Sequence, residues 1–236
     1  MRRAIGTILP SSNRSVERAT IAILRNFEDV DASFARITYF GAGTGQPKDG
    51  YDAAAYRNAA WQLSHAEVSV LCWNGSRGAT FGLASDEALC AEMTGTTGLP
   101  ATTASLATAT LLARLGAKRL GFVVPGDHDY AADAARGLGC ELAAVRGFGQ
   151  TDNLDAARVA PGDIAALARE VATAKPDAIL VWSTNLPGFE VAASLETELG
   201  VPVIDSASAG VWGSLALLGI DPAPARPFGR IFAISG

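Results

Sequence analysis

The chain has 236 residues, 49% hydrophobic and 18% charged, with a formal net charge of −5. This composition calls for a packed core rather than disorder, in two small domains or one large one, and the acidic balance argues against a nucleic-acid or membrane-surface binder. The three cysteines (Cys72, Cys90, Cys140) and two histidines (His65, His128) show no metal-ligand or CxxC spacing, so no metal site and no disulfide framework are expected, and a reducing cytoplasm is the expected compartment.

Residues 1–6 lead into a strand over 4–9 rather than a secretory signal. Pro10-Ser11-Ser12-Asn13 then makes a turn and helix cap, with a helix through Val16, Ala19, Ile23 and Leu24. Residues 32–40 alternate as a second strand. A glycine-rich loop over 41–50, long enough to be functional, precedes a helix over 51–64. The strand 68–72 runs into Trp73-Asn74-Gly75-Ser76-Arg77-Gly78, followed by a helix over 84–94, a short strand over 101–103 and a helix over 105–115.

The second half repeats this plan. Strands are expected over 119–124, 141–145, 178–182 and 201–204, and helices over 129–138, 163–174, 188–198 and 206–218. A long loop over 147–159 contains Asp152-Asn153. Residues 221–228 read as a proline-rich loop and 230–234 as a short final strand. No apolar run reaches the roughly 18 residues of a membrane span.

Strands alternating with helices imply parallel sheets covered on both faces. Gly98-Leu99-Pro100 and Gly200-Val201-Pro202 each precede a short strand and an alanine-rich helix, and Trp73 and Trp182 each close an apolar strand. The expected fold is therefore α/β, with two parallel-sheet, flavodoxin-like domains related by a pseudo-twofold and a cleft between them. The expected division is 1–104 with 214–236, and 105–213.

The strand-end loops carry the candidate chemistry. Gly75 and Ser76 offer small residues and backbone N–H groups to an anion, with Asn74 beside them and Arg77 as a possible bidentate partner. Ser183-Thr184-Asn185 is the matching cradle. Ser12 and Asn13 sit at the positive end of the first helix, Asn153 lies in the long loop, and Tyr130 follows a strand end. Cys72 is a candidate nucleophile or acid if its thiol is activated. Strand neighbours point to opposite faces, so either Cys72 or Trp73 faces the cleft. Ser183 lacks an adjacent base, so binding is its plainer role.

Leu9-Pro10-Ser11-Ser12-Asn13, the stretch from Glu67 through Gly78, Gly98-Leu99-Pro100, Thr151-Asp152-Asn153, Ser183-Thr184-Asn185-Leu186 and Gly200 through Trp212 together carry a family resemblance. The chain resembles the aspartate/glutamate racemase superfamily, in the branch of maleate cis-trans isomerases and arylmalonate decarboxylases. The resemblance implies two α/β domains, no metal, no organic cofactor, and a small carboxylic or dicarboxylic acid bound between the domains. It implies cis-trans isomerisation or racemisation as the default. The alternatives are decarboxylation of malonate-type acids, hydrolysis, or carboxylate binding without turnover. In such proteins two strand-end cysteines act, and the decarboxylases keep only the second. Here the flanking residues put the first position on Trp73, one residue past Cys72, and the second on Ser183. A tyrosine position falls on Gly126, near Tyr130, and Asn13 and Asn153 match binding asparagines. Cys72 and Ser183 are thus the candidate catalytic residues, and Ser12, Asn13, Trp73, Asn74, Gly75, Ser76, Tyr130, Asn153, Thr184 and Asn185 the candidate binding residues. Beyond the acid no nucleic-acid or membrane partner is expected. A homodimer is expected through apolar residues near Trp212 or Phe228.

Overall fold

Short runs of Val, Ile, Leu and Ala that are buried on both sides pair best as parallel strands flanked by helices. The computed structural model, which describes residues 2–40 and 43–236, shows this arrangement twice. Gly41 and Ala42 of the expected glycine-rich loop lie outside the described residues. Strands β1 (Arg3–Pro10), β2 (Val30–Ile37), β3 (Val70–Trp73) and β4 (Ala101–Thr103) form a parallel sheet in the order β2-β1-β3-β4. Strands β5 (Arg119–Val124), β6 (Glu141–Gly147), β7 (Ala178–Val181) and β8 (Val203–Asp205) form a second in the order β6-β5-β7-β8. The order reverses between β1 and β3, and again between β5 and β7. Beyond the carboxyl ends of those strands the outgoing loops diverge and leave a crevice.

The connecting helices are α1 (Ser15–Leu24), α2 (Ala53–His65), α3 (Gly78–Phe81), α4 (Leu83–Thr97), α5 (Ala104–Leu115), α6 (His128–Gly137), α7 (Asn153–Arg158), α8 (Pro161–Ala172), α9 (Ala192–Leu199) and α10 (Ser206–Leu217). One apolar cluster joins the halves. It runs from Ile5 and Val70 of the first sheet through α5 and α10 to Leu120, Phe122, Leu180 and Ile204 of the second. The outer face of the first sheet packs on α2 and α4, and that of the second on α8 and α9. The strands alternate between these layers: Val70 faces the shared core and Leu71 the outer one.

Three expectations are corrected. Part of the loop over 147–159 is helical, because the Asp152 side chain accepts from Leu154 N at 2.7 Å and caps α7. The helix expected over 188–198 is a 3-10 turn (Gly188–Glu190) followed by α9, with the break at Val191, whose φ is −123°. Residues 230–234 add no strand. Arg230–Ala233 is a 3-10 turn, and the Arg230 backbone N–H goes to the buried Glu196 carboxylate at 2.7 Å instead of to a sheet. Trp212 itself is buried. It is 1% exposed and its indole N–H donates to Ile234 O at 2.9 Å, while Phe228 packs partly buried against the same core. The expected boundary at 213/214 falls inside α10, which is uninterrupted. Among the described residues no helix is long and apolar enough to cross a membrane.

Helices α3 and α6 come from different halves and meet at Gly137, where an added Cβ would lie 1.6 Å from Ala79 O. Alanine ordinarily favours a helix over glycine by about 1 kcal/mol. Gly137→Ala is nonetheless expected to destabilise the protein by about 1–3 kcal/mol, because the helices must separate to admit the methyl group. Chemical denaturation checks the sign.

Candidate functional site

The loops at the reversal points meet through a set of buried and half-buried polar bonds. Asn13 caps α1, its Oδ1 accepting from Val16 N at 3.0 Å, and its Nδ2 donates to Thr184 Oγ1 across the cleft at 3.1 Å. Ser15 Oγ donates to Asn185 O at 2.8 Å. Asn153 Nδ2 donates to Ser12 Oγ at 3.0 Å, and Asn153 O accepts from Asn185 Nδ2 at 2.5 Å. Arg36 of β2 holds the β1–α1 turn by donating to Ser11 O and Asn13 O at 3.0 and 2.9 Å.

Between these ties open two adjoining cavities of about 290 and 310 Å3, with Tyr39, Tyr130, Asn153 and Ser183 common to both. That volume suits a small organic acid. The first is walled by Trp73, Tyr39 and Phe81, with Gly75, Ser76, Ser183 and Thr184 as its small polar residues and Arg77 and Lys48 at its edge. The second is lined by Gly126, Asp127 and residues 150–153.

Seven of the expected residues thus line one cleft: Trp73, Gly75, Ser76, Tyr130, Asn153, Ser183 and Thr184. Ser12, Asn13, Asn74 and Asn185 line neither of the two cavities and are engaged elsewhere. Asn74 is 1% exposed and donates to Ala207 O of α10 at 3.0 Å, so it anchors the loop. Arg77 is not free for a bidentate contact. Its guanidinium donates to Gly50 O at 3.1 Å, Lys48 O at 3.0 Å and Pro47 O, and lies 4.6 Å over the Phe81 ring.

Cys72 is corrected most clearly. By strand alternation it shares the inner face with Val70, where its thiol donates to Gly210 O at 3.6 Å. Burial pushes the thiol up to about 12, the reverse of activation. Trp73 is the cleft residue, on the same face as Leu71.

The ladder also revises the internal repeat. Asn74 N donates to Ile8 O at 2.9 Å, two residues before Pro10, and Trp182 N donates to Val123 O at 2.8 Å, two residues before Pro125. Asn74 therefore matches Trp182, and Gly75 matches Ser183. Trp73 and Trp182 are not equivalents, since Trp182 packs in the shared core and Trp73 in the outer one. A Cβ on Gly75 would lie 2.3 Å from Cζ2 of Trp73. The indole occupies the space that a side chain opposite Ser183 would need. At the matched positions the cleft offers the Ser183 hydroxyl on one jaw and the Gly75 backbone under the Trp73 indole on the other, where the next residue, Ser76, supplies a hydroxyl.

Tyr130 spans the jaws, its hydroxyl facing Ser76, and burial raises it to about 12. Burial likewise raises Tyr39, while the nearby Arg77 opposes the shift. Tyr39, Lys48, Thr80, Phe81 and Asp133 line the cleft without having been singled out in the sequence. For Lys48 the available signal was its place in the glycine-rich loop; Tyr39 ends an alternating run beside it. Among the described residues no cluster of His, Cys, Asp or Glu could hold a metal ion.

A family model described as Arylmalonate decarboxylase matches residues 42–232. The arylmalonate decarboxylase of Bordetella bronchiseptica is 31% identical over 208 residues, covering 81% of this chain and 83% of that protein. A crystal structure of arylmalonate decarboxylase superposes with a TM-score of 0.80 at 27% identity, over 98% of this chain and 99% of the other. The maleate isomerase of Pseudomonas putida gives a TM-score of 0.81 at 22% identity, with 98% of each chain covered. So does a variant of the Nocardia farcinica maleate cis-trans isomerase bearing a covalently bound succinylcysteine intermediate, at 22% identity and 98% coverage of each chain. At that identity the isomerases share the fold. Among the described residues no cysteine lines either cavity of this chain.

Asp86 lies fully buried behind the cleft, and burial raises its carboxyl from 3.8 to about 6. A carboxyl raised in the folded state keeps its contribution below the unfolded range near pH 4 and loses it as pH rises through about 6. Asp205 behaves alike, also raised to about 6 by burial. Asp86→Asn is therefore expected to lose less stability than the parent between pH 4 and 7, by up to roughly 3 kcal/mol. Urea denaturation across that range checks it, and parallel profiles would refute it.

Proposed function

Because the chain belongs to the arylmalonate decarboxylase family, it is an enzyme of the group that unites those decarboxylases with the maleate isomerases, and we propose that it releases carbon dioxide from a small malonate-type acid bound between its two halves. The observation that supports this reading best is the one-sided cleft. Racemisation by two groups needs an acid and a base on opposite faces of one carbon, and opposite Ser183 stand the Gly75 backbone and the Trp73 indole. Covalent addition to a double bond needs a thiolate, and Cys72 points into the shared core. Decarboxylation requires neither. It needs one carboxylate held, the other stripped of water, and one proton delivered.

Each requirement has a counterpart in the cleft. Ser76, Ser183 and Thr184 hold the retained carboxylate, aided by N–H groups at the strand ends. The departing carboxylate lies against Tyr39, and the acid's apolar substituent against Trp73 and Phe81, where water is excluded. When the carbon–carbon bond breaks, its electron pair passes to the retained carboxylate as an enediolate, and carbon dioxide leaves. Tyr130 then donates its phenolic proton to the α-carbon, and water reprotonates the phenolate. A phenol held near 12 remains a far stronger acid than the carbon it protonates, and a stronger one than the Ser183 hydroxyl. The free cysteines support a reducing cytoplasm as the proposed location.

Carbon dioxide release from phenylmalonate and methylmalonate tests the reading. Turnover of maleate but of neither malonate would overturn it. Tyr130→Phe is expected to lower kcat by about 10²- to 10³-fold with a smaller change in KM, as for loss of a general acid. Cys72→Ala should keep kcat within about threefold, since its thiol faces away from the reacting carbon.

A further inference from the structure

Behind the aromatic wall lies a cluster that the chemistry above does not use. The Tyr51 ring stands edge-on to Trp73 (centroids 6.3 Å apart, 81° between planes), to Phe81 (6.1 Å, 88°) and to Tyr56 (5.2 Å, 73°). Tyr56 also meets Trp73 edge-on at 4.9 Å and 89°. Trp73 and Phe81 line the first cavity, whereas Tyr51 and Tyr56 do not. The Tyr51 hydroxyl donates to Asp86 Oδ1 at 3.3 Å. Asp86 Oδ2 has no partner, and a Cβ on Gly78 would fall 1.3 Å from it. Both strand β3, which ends at Trp73, and helix α3, which runs from Gly78 to Phe81, are therefore registered against one Tyr51–Asp86 pair.

A buried carboxyl without a cation is costly, and an apolar residue there would pack more favourably. The polar groups facing Asp86 are Tyr51, Tyr56, Cys72, Cys90 and Thr103, none of them cationic. What the carboxyl contributes is a fixed acceptor for one hydroxyl. Edge-to-face aromatic pairs are directional, so fixing the Tyr51 ring fixes the two rings that lean on it.

We propose that Tyr51 and Asp86 are positioning residues, whose hydroxyl–carboxyl bond sets the Trp73–Phe81 wall and so determines how well the cleft accepts the apolar substituent of its acid. This rests on the reading of the cleft as a carboxylic-acid site. The test compares phenylmalonate with malonate, two acids that share carboxylates and differ in the apolar group, by calorimetric titration with Tyr130→Phe as the parent, since its slowed turnover lets binding be read. Tyr51→Phe and Asp86→Ala are each expected to weaken phenylmalonate by about 10-fold and malonate by less than about twofold, and the double variant by no more than either single one. Asp86→Asn, whose amide oxygen can accept the same bond, should restore phenylmalonate binding to within about threefold of the parent. Equal weakening of both acids, unchanged phenylmalonate binding, or an additive double variant would overturn the proposal. If the parent binds neither acid, the carboxylate-site reading fails instead. The positioning claim is then decided by fluorine NMR of 5-fluorotryptophan-labelled protein, with the Trp73 signal assigned through Trp73→Phe. That signal should shift in Tyr51→Phe and Asp86→Ala and return in Asp86→Asn; an unmoved signal refutes it.

Discussion

The two halves are held in register by hydrogen bonds between buried and half-buried amides and hydroxyls at their strand ends. Asn13 with Thr184, Ser15 with Asn185, and the Ser12–Asn153–Asn185 chain connect a turn from one sheet to turns from the other. Apolar packing through α5 and α10 brings the sheets together, but it is non-directional and tolerates small slides. Buried polar groups do not, because each lost partner leaves a donor or acceptor away from water. The aperture of the cleft is therefore set by these bonds. The same amides that look like ligand binders in the chain are largely taken up in keeping the jaws apart at a fixed distance.

Strand alternation then decides what the cleft contains. At the end of β3 a thiol and an indole sit side by side, and the pleat sends the thiol to the shared core and the indole to the crevice. The indole lies over Gly75, and the Gly75 position has no room for a side chain while it does. The two jaws share a backbone plan and differ in chemistry. At the matched positions one presents Ser183 and the other the Gly75 backbone under an indole, with Thr184 and Ser76 following them. A protein whose halves repeat the same strand order thereby has an asymmetric site, and that asymmetry favours chemistry with a single protonated face.

Much of the fold was legible in the chain because its cause is local. Apolar strands such as 119–124, the Ser11-Ser12-Asn13 cap before α1, and the paired Gly-Leu-Pro and Gly-Val-Pro turns each report a backbone preference over a few residues. Some failures were local too, such as the Asp152 cap on α7 and the break at Val191, but at the C-terminus a distant partner had intervened. Glu196 claims the Arg230 N–H where a final strand was expected. Similarly, the loops that carry the site could be located by their small residues. That Arg77 would turn back onto residues 47–50, and that Asn74 would face α10, depends on elements far away in sequence.

The sequence by itself determined the alternation of strands and helices, the repeat, the family and the place of the cleft, because apolar periodicity and turn chemistry are properties of neighbouring residues. Only the tertiary structure decided that Trp73 and not Cys72 faces the cleft, that Gly75 is the counterpart of Ser183, and that Asp86 lies buried behind the wall. Those outcomes depend on which strand pairs at which register and which helix covers which face. The physical reason is that a one-residue difference in register exchanges the two faces of a strand, and no local pattern records that choice.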